Sequence, residues 1–162
     1  EFNLQYLSGG DVLKEMAKEH GFNSDGDDWW DTEEGMKFLN QREQNSEFDK
    51  NLDKKLTELF NQGGMVITSY TLPWLIHDGV KIWLEGSHES STQRMQSRDN
   101  MSSENAFQIT KDRFDKNKAL YKKLYGFSFG DDKDVFDVII NTDNLTANQV
   151  IDVTTETVRK LL

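Results

Sequence analysis

An α/β fold built round a mainly parallel sheet is what this 162-residue sequence predicts, and three observations predict it. Four short apolar runs alternate with longer segments of helical periodicity, the order of a three-layer α/β/α domain. The runs are nearly continuous in apolar character, as strands covered on both faces require. Ten Phe, four Tyr and four Trp supply core side chains although only 35% of residues are hydrophobic, and a disordered chain would be poor in them. The length suits a single domain over 1–162.

The elements are predicted in order. Residues 4–7 form a strand that ends at Ser8-Gly9-Gly10-Asp11. A helix follows because Val12, Leu13, Met16 and Ala17 share one face, and Gly21 stops it. Residues 23–31 are acidic and turn-rich around Trp29 and Trp30. Helices are expected over 33–44 and 46–61. The second carries Phe48, Leu52, Leu56, Leu59 and Phe60 as a buried stripe, and Gly63-Gly64 closes it. Residues 65–68 and 80–84 are strands, with the only proline, Pro73, in the segment between them. A charged stretch over 88–103 precedes a long helix over 104–125, in which Phe107, Phe114 and Tyr121 recur every seven residues as a packing stripe. Residues 135–142 (VFDVIINT) are the strongest strand, and a helix over 146–162 takes Thr146 as its N-cap.

Composition excludes several function classes. A formal charge of -10 repels a phosphate backbone over long range, so no nucleic-acid partner is expected. It does not prevent a local cluster of cations around a small phosphorylated ligand. The absence of cysteine removes disulfides, thiolate zinc sites and cysteine nucleophiles together. No apolar run is long enough to span a membrane. No charged segment followed by an apolar one opens the chain, so a cytoplasmic location is expected.

Few residues carry a chemical signal. His20, His77 and His88 are scattered without metal-ligand spacing. Asn23, Asp25, Asp27 and Glu34 fit four positions of a calcium-loop template, but Asp28 stands where such a loop needs glycine, so a solvated acidic loop is the better reading. The cations are more telling. Arg94 and Arg98 are four apart and share a face if helical, and Arg113, Lys116 and Lys118 follow in the next helix. Guanidinium groups pair with phosphate oxygens, so this cluster is a potential phosphate clamp. Equally, the same residues could pair with Asp99, Asp112 and Asp115 on a solvated surface. Ser8-Gly9-Gly10-Asp11, at a strand-to-helix junction with Lys14 one turn in, is either an anion-receiving helix N-terminus or an ordinary turn capped by Asp11.

Taken in order, the segments resemble the archaeal-type cytidylate kinases and related P-loop nucleoside monophosphate kinases. YLSGGDVLKEMAKEHG is similar to the family's second strand and the start of its nucleotide site. NSEFDKNLDKKL is similar to the helix over the monophosphate, and GVKIWLEGS with RMQSRDNMS to the fourth strand and the arginine-bearing lid. DRFDKNKALYKKLYGFSFG resembles the helix beyond the lid, and FDVIINTDNLTANQV the last strand and helix. The resemblance runs from residue 2 onward and implies transfer of the γ-phosphoryl of ATP to CMP or dCMP, with Mg²⁺ bridging the ATP phosphates. It implies that Arg94 and Arg98 lie in a lid over about 88–103 and that Arg113 acts from the helix beyond it. Ser8, Asp11 and Lys14 match the monophosphate site, with lysine where the family usually has arginine. Asp49 and Asp53 match the acidic pair near the acceptor nucleotide, and Asp143 falls near the expected adenine edge. A monomer or weak dimer is implied.

Two departures accompany the matches. No G-x-x-G-x-G-[KT]-[ST] motif occurs in these residues. In the family that loop, with a first strand and helix, falls before the position of Glu1, so the first strand and P-loop helix are expected to be absent and the 162 residues alone inactive. Tyr70 stands where many members carry an arginine that contacts the acceptor. A non-catalytic nucleotide-binding or protein-interaction module derived from such a kinase is therefore the alternative expectation.

Overall fold

A computed structural model describes residues 2–24, 29 and 32–162. The chain divides into two compact units, residues 1–77 and 78–162, each with its own pair of parallel strands.

The first unit contains β1 (Gln5–Ser8), α1 (Gly9–Glu19), α2 (Glu33–Gln44), α3 (Glu47–Phe60), β2 (Met65–Thr68) and α4 (Leu72–Leu75). β1 and β2 pair in parallel, with Gln5 opposite Met65 and Ser8 opposite Thr68. Parallel neighbours need a long crossover, and three helices supply it. Ser8 starts α1 by accepting the Asp11 backbone N–H at its Oγ. Gly21 ends the helix in the left-handed region, at a φ of 85°. The face expected to be buried is the buried one: Val12, Leu13, Met16 and Ala17 join Leu52 and Leu56 of α3, Phe38 of α2, Trp29 and Leu72 in one core. Phe38 sits at its centre, with the rings of Phe22, Trp29 and Phe48 at 5.2–5.4 Å. Each such buried side chain contributes roughly 1.5–3 kcal/mol, so this cluster is the main source of stability here. α4 was not among the expected elements. Pro73 lies in its first turn, where its missing N–H costs no hydrogen bond.

The second unit contains β3 (Ile82–Glu85), α5 (His88–Asp99), α6 (Ser103–Tyr125), β4 (Val138–Asn141) and α7 (Ala147–Leu161). β3 and β4 are again parallel, from Ile82 opposite Val138 to Glu85 opposite Asn141. The charged stretch beyond β3 is largely helical. Ser87 caps α5 by accepting the Ser90 N–H, and Asn100, at a φ of 49°, closes it. α5 packs on α6, where Thr92, Met95 and Ala106 are buried and the Thr92 and Thr110 hydroxyls lie 3.3 Å apart. Only part of the expected stripe on α6 is interior. Tyr121 is buried, whereas Phe107 and Phe114 remain 47% and 41% exposed. Their rings touch His88 and Phe129 at the rim. The aromatic core is completed from the connection after α6, where Phe127 stacks on Tyr121 and Phe129 meets Tyr121 and Trp83 edge to face. α7 opens with a capping box between Thr146 and Gln149.

Where one mainly parallel sheet is expected, the hydrogen-bond ladders give two two-stranded pairs, one in each unit. The parallel sense agrees with the strand–helix alternation. Each ladder is four residues long, so β4 is shorter than its apolar run: Val135 and Phe136 belong to a turn that Asp137 ties to Lys81. Among the described residues no helix is long and apolar enough to cross a membrane.

Candidate functional site

Ligands of parallel α/β folds gather at the carboxyl ends of the strands, and in each unit some of the residues singled out in the sequence lie near such an end: Ser8, Asp11 and Tyr70 in the first, Arg94, Arg98 and Asp143 in the second. In the first unit β1 ends at Ser8 and β2 at Thr68. Gly9 is fixed by crowding: a Cβ there would come within 3.1 Å of the Thr68 carbonyl oxygen. Gly10 and Asp11 are exposed at the start of α1, and Lys14 is half-buried one turn on. Beyond β2, Ser69 Oγ accepts the backbone N–H groups of Thr71 and Leu72, both at 3.2 Å. Thr71 donates its hydroxyl to Asp53 Oδ1. This short network pins both flanks of Tyr70, whose ring is 61% exposed at the tip of the turn.

Asp49 and Asp53 occupy a different environment from that of the exposed residues. They lie on the same face of α3 as Leu52 and Leu56 and are 1% and 4% exposed. Arg42, also buried, grips Asp49: its Nε donates to Oδ1 at 2.8 Å and Oδ2 at 2.9 Å, and its Nη2 donates to Oδ1. Sequence reasoning missed Arg42 and Thr71 as the partners of these acids. The available signal was two carboxylates at core positions of an amphipathic helix, which demand buried partners.

In the second unit an open pocket of about 490 Å³ is lined by Ser90, Gln93, Arg94, Ser97 and Arg98 of α5 and by Thr142, Asp143 and Leu145 beyond β4. Arg94 and Arg98 share its wall as their spacing predicts. The Arg94 guanidinium donates to Thr142 Oγ1 at 3.2 Å, and among the described residues it forms no ion pair. Asp143 Oδ1 accepts the Ser87 N–H at 2.7 Å, tying the loop after β4 to the start of α5.

The expected surface pairing of the cations holds only in part. Arg98 does pair with Asp99. Asp115, however, takes Lys111, Asp112 accepts from Gln108, and Lys118 reaches Asp131 at 2.6 Å. Arg113 is half-buried on α6, near enough for its charge to act on Asp99. The Arg98 hydrogen bond, opposed by burial and reinforced by the charges of Arg98 and Arg113, holds the Asp99 carboxyl below the ordinary carboxylate value. A lowered folded value means that this contribution to stability is full above the ordinary carboxylate range and is lost as pH falls through the lowered value. In Arg98→Ala, an NMR titration of the Asp99 side chain should move toward the ordinary carboxylate value; an unmoved titration would show that Arg98 is not the cause.

Asp25, Asp27 and Asp28 of the acidic loop lie outside the described residues, while Asn23 N–H donates to Glu34 Oε2 at 3.1 Å.

Comparison with known proteins bears on the same elements. Residues 1–144 match the cytidylate kinase-like family. The chain belongs to that family. Curated relatives named cytidylate kinase include one from Methanocaldococcus jannaschii, 26% identical over 166 aligned positions that cover 99% of this chain and 86% of the relative. One from Pyrococcus horikoshii is 29% identical over 142 positions, 87% of this chain and 68% of the relative. One from Sulfurisphaera tokodaii is 26% identical over 151 positions, 91% and 77% of the two chains. The cytidylate kinase-like match takes in β1 to β4 and both arginines of the pocket.

Proposed function

We propose that this chain is a nucleoside monophosphate kinase that transfers the γ-phosphoryl of ATP to CMP or dCMP. The observation that carries the reading is Arg94: a fixed positive charge lining an open pocket beside Arg98, held by a neutral hydroxyl rather than by a carboxylate. In a chain of charge -10, a cation without an acidic partner among the described residues suits an anionic ligand. In the transfer, an oxygen of the acceptor phosphate bonds to the γ-phosphorus as its bond to the bridging oxygen of ADP breaks, giving CDP or dCDP. Protein groups chiefly position the phosphates and neutralise their charge. Residues 88–103 act as the lid, with Arg94 and Arg98 on the phosphates and Arg113 behind them. Ser8, Asp11, Lys14 and Tyr70, at the ends of β1 and β2, receive the monophosphate. Asp49 and Asp53 support that site from within α3, and Tyr70 offers a ring for a base to stack on.

Mg²⁺ bridges ATP phosphates in such transfers and offsets their charge. Among the described residues no group of three or more His, Asp or Glu is placed to hold a metal ion. No protein ligand is assigned to the ion.

The test is an assay of the protein expressed from its natural gene for ATP-dependent conversion of CMP, dCMP, UMP and AMP, with direct titration of each. Conversion of CMP or dCMP is the expected result. No transfer from ATP to any monophosphate would overturn the reading. A second reading, a nucleotide-binding module without transfer, draws on Tyr70 in place of arginine. Binding of CMP with no turnover would select it.

A further inference from the structure

Arg94 is aimed by two residues that no motif singles out. Gly86 follows β3 directly, and the Arg94 guanidinium lies across its backbone. A Cβ built on Gly86 would sit 2.4 Å from Arg94 Nη2 and 3.6 Å from Cζ, far inside van der Waals contact. Thr142 follows β4, and like Gly86 it lies one residue beyond the last pair of the ladder, Glu85 and Asn141. Its buried hydroxyl donates to the Glu85 carbonyl oxygen at 2.8 Å and accepts from Arg94 Nη1 at 3.2 Å. The Thr142 backbone N–H donates to the same carbonyl at 2.8 Å, so the threonine is held at two points by the end of β3. The arginine thus lies in a notch whose floor is a missing side chain and whose wall is a fixed hydroxyl.

We infer that Gly86 and Thr142 are positioning residues for Arg94, holding its guanidinium at the mouth of the pocket for the phosphates of a nucleotide. The inference rests on the proposed function for what the pocket binds, but not for how the arginine is held. Gly86 is not in the left-handed backbone region, so an alanine there meets no backbone strain. What it meets is the far end of a flexible side chain, which can swing away. Gly86→Ala should therefore displace the guanidinium while leaving the fold intact, an outcome ordinary core crowding would not give. Thr142→Val should remove the hydroxyl wall at nearly constant volume, and Thr142→Ser should restore it.

The experiment reads position and binding separately. Arginine side-chain N–H signals, recorded by NMR without ligand, should show Arg94 ordered in the natural protein and in Thr142→Ser. In Gly86→Ala and Thr142→Val the same signal should move toward that of a solvent-exposed arginine. ATP titration should then give Gly86→Ala and Thr142→Val an affinity loss of roughly tenfold, close to that of Arg94→Ala, as for a hydrogen bond to a charged group. Thermal melting of Gly86→Ala should stay within a few degrees of the natural protein. An Arg94 signal unchanged in Gly86→Ala would overturn the inference. So would unchanged ATP affinity in a protein whose Arg94→Ala variant binds weakly. If the natural protein binds no ATP, the nucleotide assignment of the pocket fails, while the arginine signal still decides whether Gly86 and Thr142 hold Arg94.

Discussion

Arg98→Ala is expected to lower turnover of CMP by about 10²- to 10³-fold while the Michaelis constant for CMP stays within about threefold. The asymmetry follows from where the side chain sits. Arg98 lies on the same wall of the pocket as Arg94, but it is exposed and engaged with Asp99 at the end of α5. An arginine that trades a carboxylate for phosphate oxygens gains little on binding, because the two interactions nearly balance. It gains more as charge builds on the transferring phosphoryl group, where a second cation beside Arg94 counts most. Losing such a donor removes about 3–4 kcal/mol from the transition state alone, so the rate constant falls while acceptor affinity does not. Steady-state kinetics in varied CMP at saturating ATP would check this. Asp99→Asn is the control: it releases Arg98 without deleting it, and turnover should remain within a few fold. An Arg98→Ala enzyme with unchanged turnover would remove Arg98 from the mechanism. A rise in the Michaelis constant alone would place it in ground-state binding.

Local periodicity and end signals make most elements legible in the sequence. α2, α3, α6 and α7 fall within a residue or two of their predicted spans, and α1 lies where its apolar face and the Gly21 stop put it, because each has an apolar face and a capping or stop residue. The Arg94–Arg98 wall was legible for the same reason, since residues four apart share a helical face. What escaped prediction depends on partners distant in sequence. Leu72–Leu75 is too short for periodicity to register, and its proline reads as a turn. Phe107 and Phe114 follow the same heptad as Tyr121, but the neighbours that decide their burial lie in α5 and in the connection after α6. Gly86 looks like any turn glycine until Arg94 is seen lying on it. Asp49 and Asp53 read as acids available to a nucleotide, and only packing reveals Arg42 and Thr71 against them.

The Arg42–Asp49 pair leads to the largest expected change in stability. Asp49→Ala should destabilise the first unit by about 3–5 kcal/mol, since it takes the carboxylate away from a guanidinium that stays buried. Against a total of about 5–15 kcal/mol for a domain, that is a large fraction. A drop in melting temperature of roughly 10 °C or more is the observable. The pair as a whole should matter far less than either half. Two charges leave water to form it, and their mutual attraction only about repays that cost. Arg42→Met with Asp49→Leu should therefore recover most of the loss, to within about 2 kcal/mol of the natural protein, because both ends then bury apolar surface. This cycle also separates two roles for Asp49. If the carboxylate serves the acceptor nucleotide only by holding α2 against α3, the double variant should bind CMP nearly as well as the natural protein. If Asp49 itself contacts the nucleotide, the double variant should be stable and yet fail to bind CMP. A single Asp49→Ala that melts within two or three degrees of the natural protein would contradict the buried pair as a determinant of stability. Core burial around Phe38 and Leu56 would then hold the first unit on its own.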